Sequence, residues 1–221
     1  MPRWNWRAIS LVVVLCAAPV VVAQTAAKVE SVEALIEKGL KAYKDGKMQD
    51  AIAHLQAAIA QMQKAQQKGL AKFLPGAPEG WEAGEIDASS GATSGGGGAM
   101  AITQLTRKYT QKSGGLRVTI TIMTNKDLVE TQRTLAETYR KQPEIIKAMQ
   151  TADNKFRLVD QDGWIGWSTV QKGSEAQTLV VSKSVMLQVQ VSKDDEKALE
   201  LFFKAIDLKG LAAEPTVAPT K

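Results

Sequence analysis

Apolar and polar residues alternate along Lys155–Val191. They run through KFRLVD, WIGWSTV and TLVVSKSVMLQVQV, with turn residues at QDG and QKG between them. A period of two marks half-buried antiparallel strands. Leu187, Val189 and Val191 fall on one side, and Met186, Gln188 and Gln190 on the other. The same alternation in Leu116–Met123 (LRVTITIM) puts Leu116, Val118, Ile120 and Ile122 on one face. Trp81 to Ile86 and Ala101 to Tyr109 are expected as two further strands. Between the two strand groups, Lys126 to about Met149 is helical, with Pro143 dividing it because an interior proline loses a hydrogen bond and clashes with the preceding turn. A last helix carries Ala198, Leu199, Phe202, Phe203 and Ile206 on its apolar face, and Ser192 is its expected N-cap. Runs of strands followed by helices predict an α+β domain, an antiparallel sheet with helices packed on one face.

Upstream the period is helical. Val29, Val32, Leu35, Ile36, Leu40 and Tyr43 share one stripe, and Met48, Ala51, Ile52, Leu55, Ala58, Ile59 and Met62 share another. Asp45-Gly46 separates them, so two helices joined by a short turn pack antiparallel. This hairpin occupies residues 24–72. Phe73-Leu74-Pro75-Gly76-Ala77-Pro78-Glu79-Gly80 is the boundary to the sheet domain, residues 73–211. Residues 88–98, ASSGATSGGGG, are low in complexity and are expected as a flexible loop. Residues 212–221 are expected as a disordered tail.

The segment GLKAYKDGKMQDAIAHLQAAI resembles one tetratricopeptide repeat, on Gly39, Ala42, Tyr43, Gly46, Ala51, Ile52, Leu55 and Ala58. The proline usual at the end of such a unit is missing, and no second copy follows. The resemblance implies a scaffold for protein contacts, with small residues letting the two helices approach closely. A lone unit cannot bury both of its faces. It must therefore dock on its own sheet domain, on a second copy, or on another protein. Leu55 and Ile59 are expected between the helices, and Val32, Ile36 and Met62 on the outward side as partner contacts. The segment from FLPGAPEGW to AIDLKGL resembles a class of uncharacterised exported bacterial proteins, which supports the boundary and implies no activity.

The N-terminus changes the picture most. Met1–Arg7 carries two arginines and no acid, Ile9–Val22 is an apolar run, and Val21-Val22-Ala23 ends it. This reads as a signal peptide, residues 1–23, leaving Gln24 as the first residue of a periplasmic or secreted chain. The rival is an uncleaved anchor, but the run is short for a span of ~20 residues and contains Pro19. Leu15 before Cys16 speaks against lipidation. Cys16 is the only cysteine, so the mature chain has no thiol for a disulfide, for catalysis or for a metal. The 28 basic residues less Arg3 and Arg7 leave 26 against 23 acidic, a net +3 spread along the chain, with no footprint for nucleic acid.

Candidate chemistry is sparse. His54 is the only histidine and sits beside the apolar stripe, without partners for zinc or a triad. No Gly-x-Ser-x-Gly is present. Asp160-Gln161-Asp162-Gly163 resembles the start of a calcium loop, but Gln171 stands where a glutamate is needed, and Asp162-Gly163 between strands is a hairpin turn signal. Asp160 with Glu175 is one carboxylate pair for acid–base work. The glycine run lacks the Lys-Ser/Thr of a phosphate cradle. No catalytic residue, cofactor or metal is expected. Trp164 and Trp167, three apart, face opposite sides of a strand. Gly166 beside Trp164 predicts a shallow gap, so Trp164 is either core packing or a contact surface. The leading expectation is an exported, non-enzymatic protein-binding or assembly module of the cell envelope. Its partner is another envelope protein or a second copy, and the mature chain is not an integral membrane protein. The alternatives are a small-molecule or lipid carrier using one sheet face and, behind it, a carboxylate-based hydrolase.

Overall fold

The structure, a computed structural model, describes residues 30–213 apart from 96–97, 152–153, 162, 172 and 194. The expected signal peptide and the residues after 213 lie outside the described residues. The chain is mixed α+β. Helices α1 (Val32–Lys44) and α2 (Met48–Ala71) come first. Strands β1 (Trp81–Gly95), β2 (Gly98–Gln111) and β3 (Arg117–Thr124) follow, then α3 (Lys126–Lys141) and α4 (Pro143–Met149). Strands β4 (Asn154–Gln161), β5 (Trp164–Gln171), β6 (Ser174–Val180) and β7 (Val185–Val191) precede α5 (Glu196–Ala205) and α6 (Leu208–Ala213). No described helix is long and apolar enough to cross a membrane.

The seven strands form one antiparallel sheet in the order β1-β2-β3-β7-β6-β5-β4. Two meanders, β1–β3 and β4–β7, meet where β3 pairs with β7. Two-residue turns close the later hairpins. Gln161 pairs with Trp164 and Gln171 with Ser174, and Gly163 and Gly173 take φ of 85° and 78°, the left-handed region these turns require.

Cross-strand partners share a face. Val118, Ile120 and Ile122 therefore line up with Val191, Val189 and Leu187, and Leu187 with Leu179. The end of α2 (Leu70), Phe73 and Leu74 beyond it, α5 (Leu199, Phe202, Phe203) and α6 (Leu208, Leu211) cover this face. The opposite face carries Val180 and Met186, which pack with Val129 of α3, with Ile165 and Trp167 alongside. Tyr139 of α3 meets Phe156 of β4 edge-on at 5.2 Å. Helices thus cover both faces, where the sequence pattern predicts one. The cause is topological. The chain must cross from central β3 to β4 at the far edge, and it carries α3 and α4 over a strip of apolar residues that needs cover. After β7 it returns over the other side.

Two local expectations are also corrected. The first strand does not end at Ile86. It runs to Gly95, and the glycine-rich stretch pairs with β2 from Ala88↔Leu105 to Gly95↔Gly98. Weak strand formers are held here by a partner strand rather than by their own propensity. β2 pairs with β3 only from Thr103 onward, so the outer part of the β1–β2 hairpin extends past the sheet. The cap of α5 is Asp195, whose Oδ1 accepts from Ala198 N–H at 3.0 Å. Ser192 instead bridges strands, its hydroxyl oxygen accepting from Arg117 N–H at 3.1 Å.

Tyr109 anchors the boundary segment to the sheet. It is fully buried, and its hydroxyl donates to the Pro75 carbonyl at 2.8 Å, as Arg107 Nη1 does at 3.0 Å. Burial pushes its phenol up to about 12, against the opposing pull of Arg107. The folded state therefore holds this proton more tightly than the unfolded chain does. The linked stability is present below the ordinary tyrosine value of ~10 and is lost as pH rises through about 12. Of the three tyrosines, one should ionise late in an ultraviolet absorbance titration, and Tyr109→Phe should remove that late phase. A late phase surviving in the variant would assign it to another tyrosine.

Candidate functional site

The hairpin builds its surface from how the helices meet. The Ser31 hydroxyl accepts from Ala34 N–H and starts α1, and Gly46 at φ 75° turns the chain into α2. The buried positions between the helices are mostly small: Gly39 and Ala42 on α1, Ala51 and Ala58 on α2, with Leu35. A Cβ at Gly39 would lie 3.0 Å from Leu55 Cγ and 3.4 Å from the Ala51 carbonyl oxygen, so this glycine sets the close approach. Small residues inside force the large ones out. Each buried position is followed by a large apolar one about 100° further round the helix: Leu35 by Ile36, Gly39 by Leu40, Ala42 by Tyr43, Ala51 by Ile52, Ala58 by Ile59. In two antiparallel helices this rotation points to the same side of the pair.

The result is a two-helix face rich in exposed apolar side chains. Of the twelve large hydrophobic residues exposed among those described, eight lie on α1 and α2. Ile36 is 43% exposed, Leu40 52%, Tyr43 60% and Ile59 47%. Ile36 and Met62 lie outward as expected, while Val32 is half-buried. Ile59, expected between the helices, lies outward instead. Leu55 touches the Gly39 position yet remains 42% exposed, so it straddles seam and surface. The reverse side of the hairpin presents Lys38, Lys41, Asp50, His54 and Gln61, and there His54 is half-buried. Scattered exposed apolar residues are ordinary, but a contiguous group on one face marks an interaction site.

Elsewhere the candidates resolve into packing. Trp164 lies against the large core cluster and Trp167 against the smaller one, on opposite faces. The gap expected beside Trp164 does not exist. A Cβ at Gly166 would sit 1.9 Å from the Thr178 carbonyl oxygen and 2.9 Å from Leu179 Cδ2, so strand β6 fills the space. Asp160 and Glu175 are not a pair, because cross-strand register puts them on opposite sheet faces. Asp160 bonds Arg140. Glu175 is almost wholly buried, and its Oε1 accepts from Arg157 Nη2 at 2.8 Å and from the Ser168 hydroxyl at 2.7 Å. These side chains tie β4, β5 and β6 together at the floor of a recess of about 300 Å³. Lys155 and Arg157 face Glu175 and Glu196 around it, leaving the recess near charge balance. Among the described residues, no three His, Cys, Asp or Glu side chains gather as a metal cluster.

The Arg157–Ser168–Glu175 network is absent from the sequence reading, because it depends on the register of three strands. The only advance signal is a glutamate, Glu175, within a strand at an inward position. Comparison with protein-family models, with curated proteins and with solved structures gives no match, so the case for the hairpin face as the functional surface rests on its own geometry.

Proposed function

We propose that this chain is an exported, non-enzymatic protein-binding or assembly module of the cell envelope, and that it holds its partner on the open face of the α1–α2 hairpin. One observation carries the reading: among the described residues, eight of the twelve exposed large hydrophobic side chains share those two helices. Fully burying one such side chain is worth ~1.5–3 kcal/mol, so a half-exposed group of them leaves several kcal/mol for association. The likeness of residues 39–58 to a tetratricopeptide unit points the same way, since such units act as scaffolds. The leader-like N-terminus supports export.

The test is a pair of charges on that face. Ile36→Asp with Ile59→Asp changes two side chains that are about half in water, so stability should fall by ~1–3 kcal/mol in all and the fold should persist, as circular dichroism would show. Capture of partners from envelope extract should fall to background. Undiminished capture by a folded double variant would remove this function from the hairpin.

A further inference from the structure

The large apolar residues of α2 read the same in both directions by type, and their positions are symmetric about Leu55 to within one residue. They are Met48, Ile52, Leu55, Ile59 and Met62, at spacings of four, three, four and three. We infer that the occupant of the open face is a second copy of this chain, its α2 packed antiparallel against the first about a two-fold axis at Leu55. This rests on the hairpin face being the contact surface, as proposed above.

An isologous contact requires a surface complementary to itself. In the register centred on Leu55, Met48 lies level with Met62 of the other copy, Ile52 comes within one residue of Ile59, and Leu55 meets Leu55. A 4-3 spacing is the pattern that keeps one helix seam against another. Charge does not oppose the pairing. Residues 51–63, AIAHLQAAIAQMQ, contain no Asp, Glu, Lys or Arg, so no like charges meet along the seam. At each end, Lys64 of one copy lies opposite the turn that carries both Asp45 and Lys47 of the other, so the turn it faces brings no net charge to the seam. Gln56 and Gln63 border the seam with uncharged polar side chains. The α1 residues Ile36, Leu40 and Tyr43 widen the contact on the same side. The eight side chains present on the order of 600 Å² per copy, hence on the order of 1,200 Å² for a pair, the lower edge of a specific stable interface. That size fits a reversible dimer rather than an obligate one.

The test uses the exported protein, expressed with its own N-terminus and with Cys16→Ala, which leaves no other thiol. Sedimentation equilibrium should show reversible association to twice the chain mass, weakened at least tenfold by Ile52→Asp. Under mild oxidation Leu55→Cys should form a covalent dimer, because facing positions at a two-fold bring Cα atoms within disulfide reach, and Ala57→Cys on the far side should not. A monomer at all concentrations, or equal crosslinking from residues 55 and 57, overturns the second copy as occupant. Photocrosslinking from Ile59 in cells then separates the two ideas. An adduct to a different protein would sink the dimer alone, while no adduct would sink the contact surface as well.

Discussion

Phe202→Ala should cost ~3–5 kcal/mol, the range for emptying an aromatic site in a packed core. Phe202 is fully buried on α5 and touches Trp81 edge-on at 4.9 Å and Tyr109 at 4.7 Å. It therefore joins α5 to the first two strands, and Tyr109 in turn holds Pro75 in the segment before β1. Truncation leaves a cavity between three elements, each fixed by its own strand pairing or helix, so collapse cannot fill it. Loss of two aromatic contacts adds to the lost burial. Thermal unfolding followed by circular dichroism should shift down by roughly 10 °C or more. The neighbouring Leu201→Ala provides the contrast, because Leu201 is 41% exposed and should cost under ~1 kcal/mol. Equal losses from the two would mean that α5 does not pack on the sheet through Phe202.

Gly166→Ala should be nearly as damaging, although it adds a single methyl group. The new Cβ would fall 1.9 Å from a backbone carbonyl oxygen, that of Thr178 on the neighbouring strand. A flexible side chain could swing away from such a clash, but a strand paired on both sides cannot. The β5–β6 ladder must part locally, and Leu179 must leave its fully buried site. Overpacking of this kind costs ~1–3 kcal/mol and occasionally more, and a backbone clash places it at about 3 kcal/mol. Gly76→Ala is the control, since nothing lies within 4 Å of its Cβ position. A stable Gly166→Ala protein with native hydrogen exchange in β5 and β6 would contradict the packing described.

What the sequence made legible follows from which interactions are local. The period-2 run in Leu116–Met123, the turn at Gly163, the break at Asp45-Gly46 and the division at Pro143 each depend on a few adjacent residues, and each appears in the fold. The features that escaped depend on partners distant in the chain. Residues 88–95 have low strand propensity and become strand only through β2. The second covered sheet face follows from where β4 must go, which no local pattern states. The hairpin face was half legible. Periodicity places Ile36 and Met62 on helices, but it cannot say that the seam is filled by Gly39, Ala42, Ala51 and Ala58. That choice sends Ile59 outward with the other large residues. Of the candidate contacts, Trp164 is half-buried against the core and Val32 is half-buried on α1.

The central claim is that the open face of α1 and α2 is covered by protein in the cell. Site-specific photocrosslinking addresses it whatever the identity of the partner. A photoreactive residue at Ile36 or Ile59, on the open face, should give discrete higher-mass adducts after illumination of living cells. The same residue at Ala57, on the reverse side of α2, should give none. Adducts equally strong from position 57, or none from 36 and 59, would contradict the account.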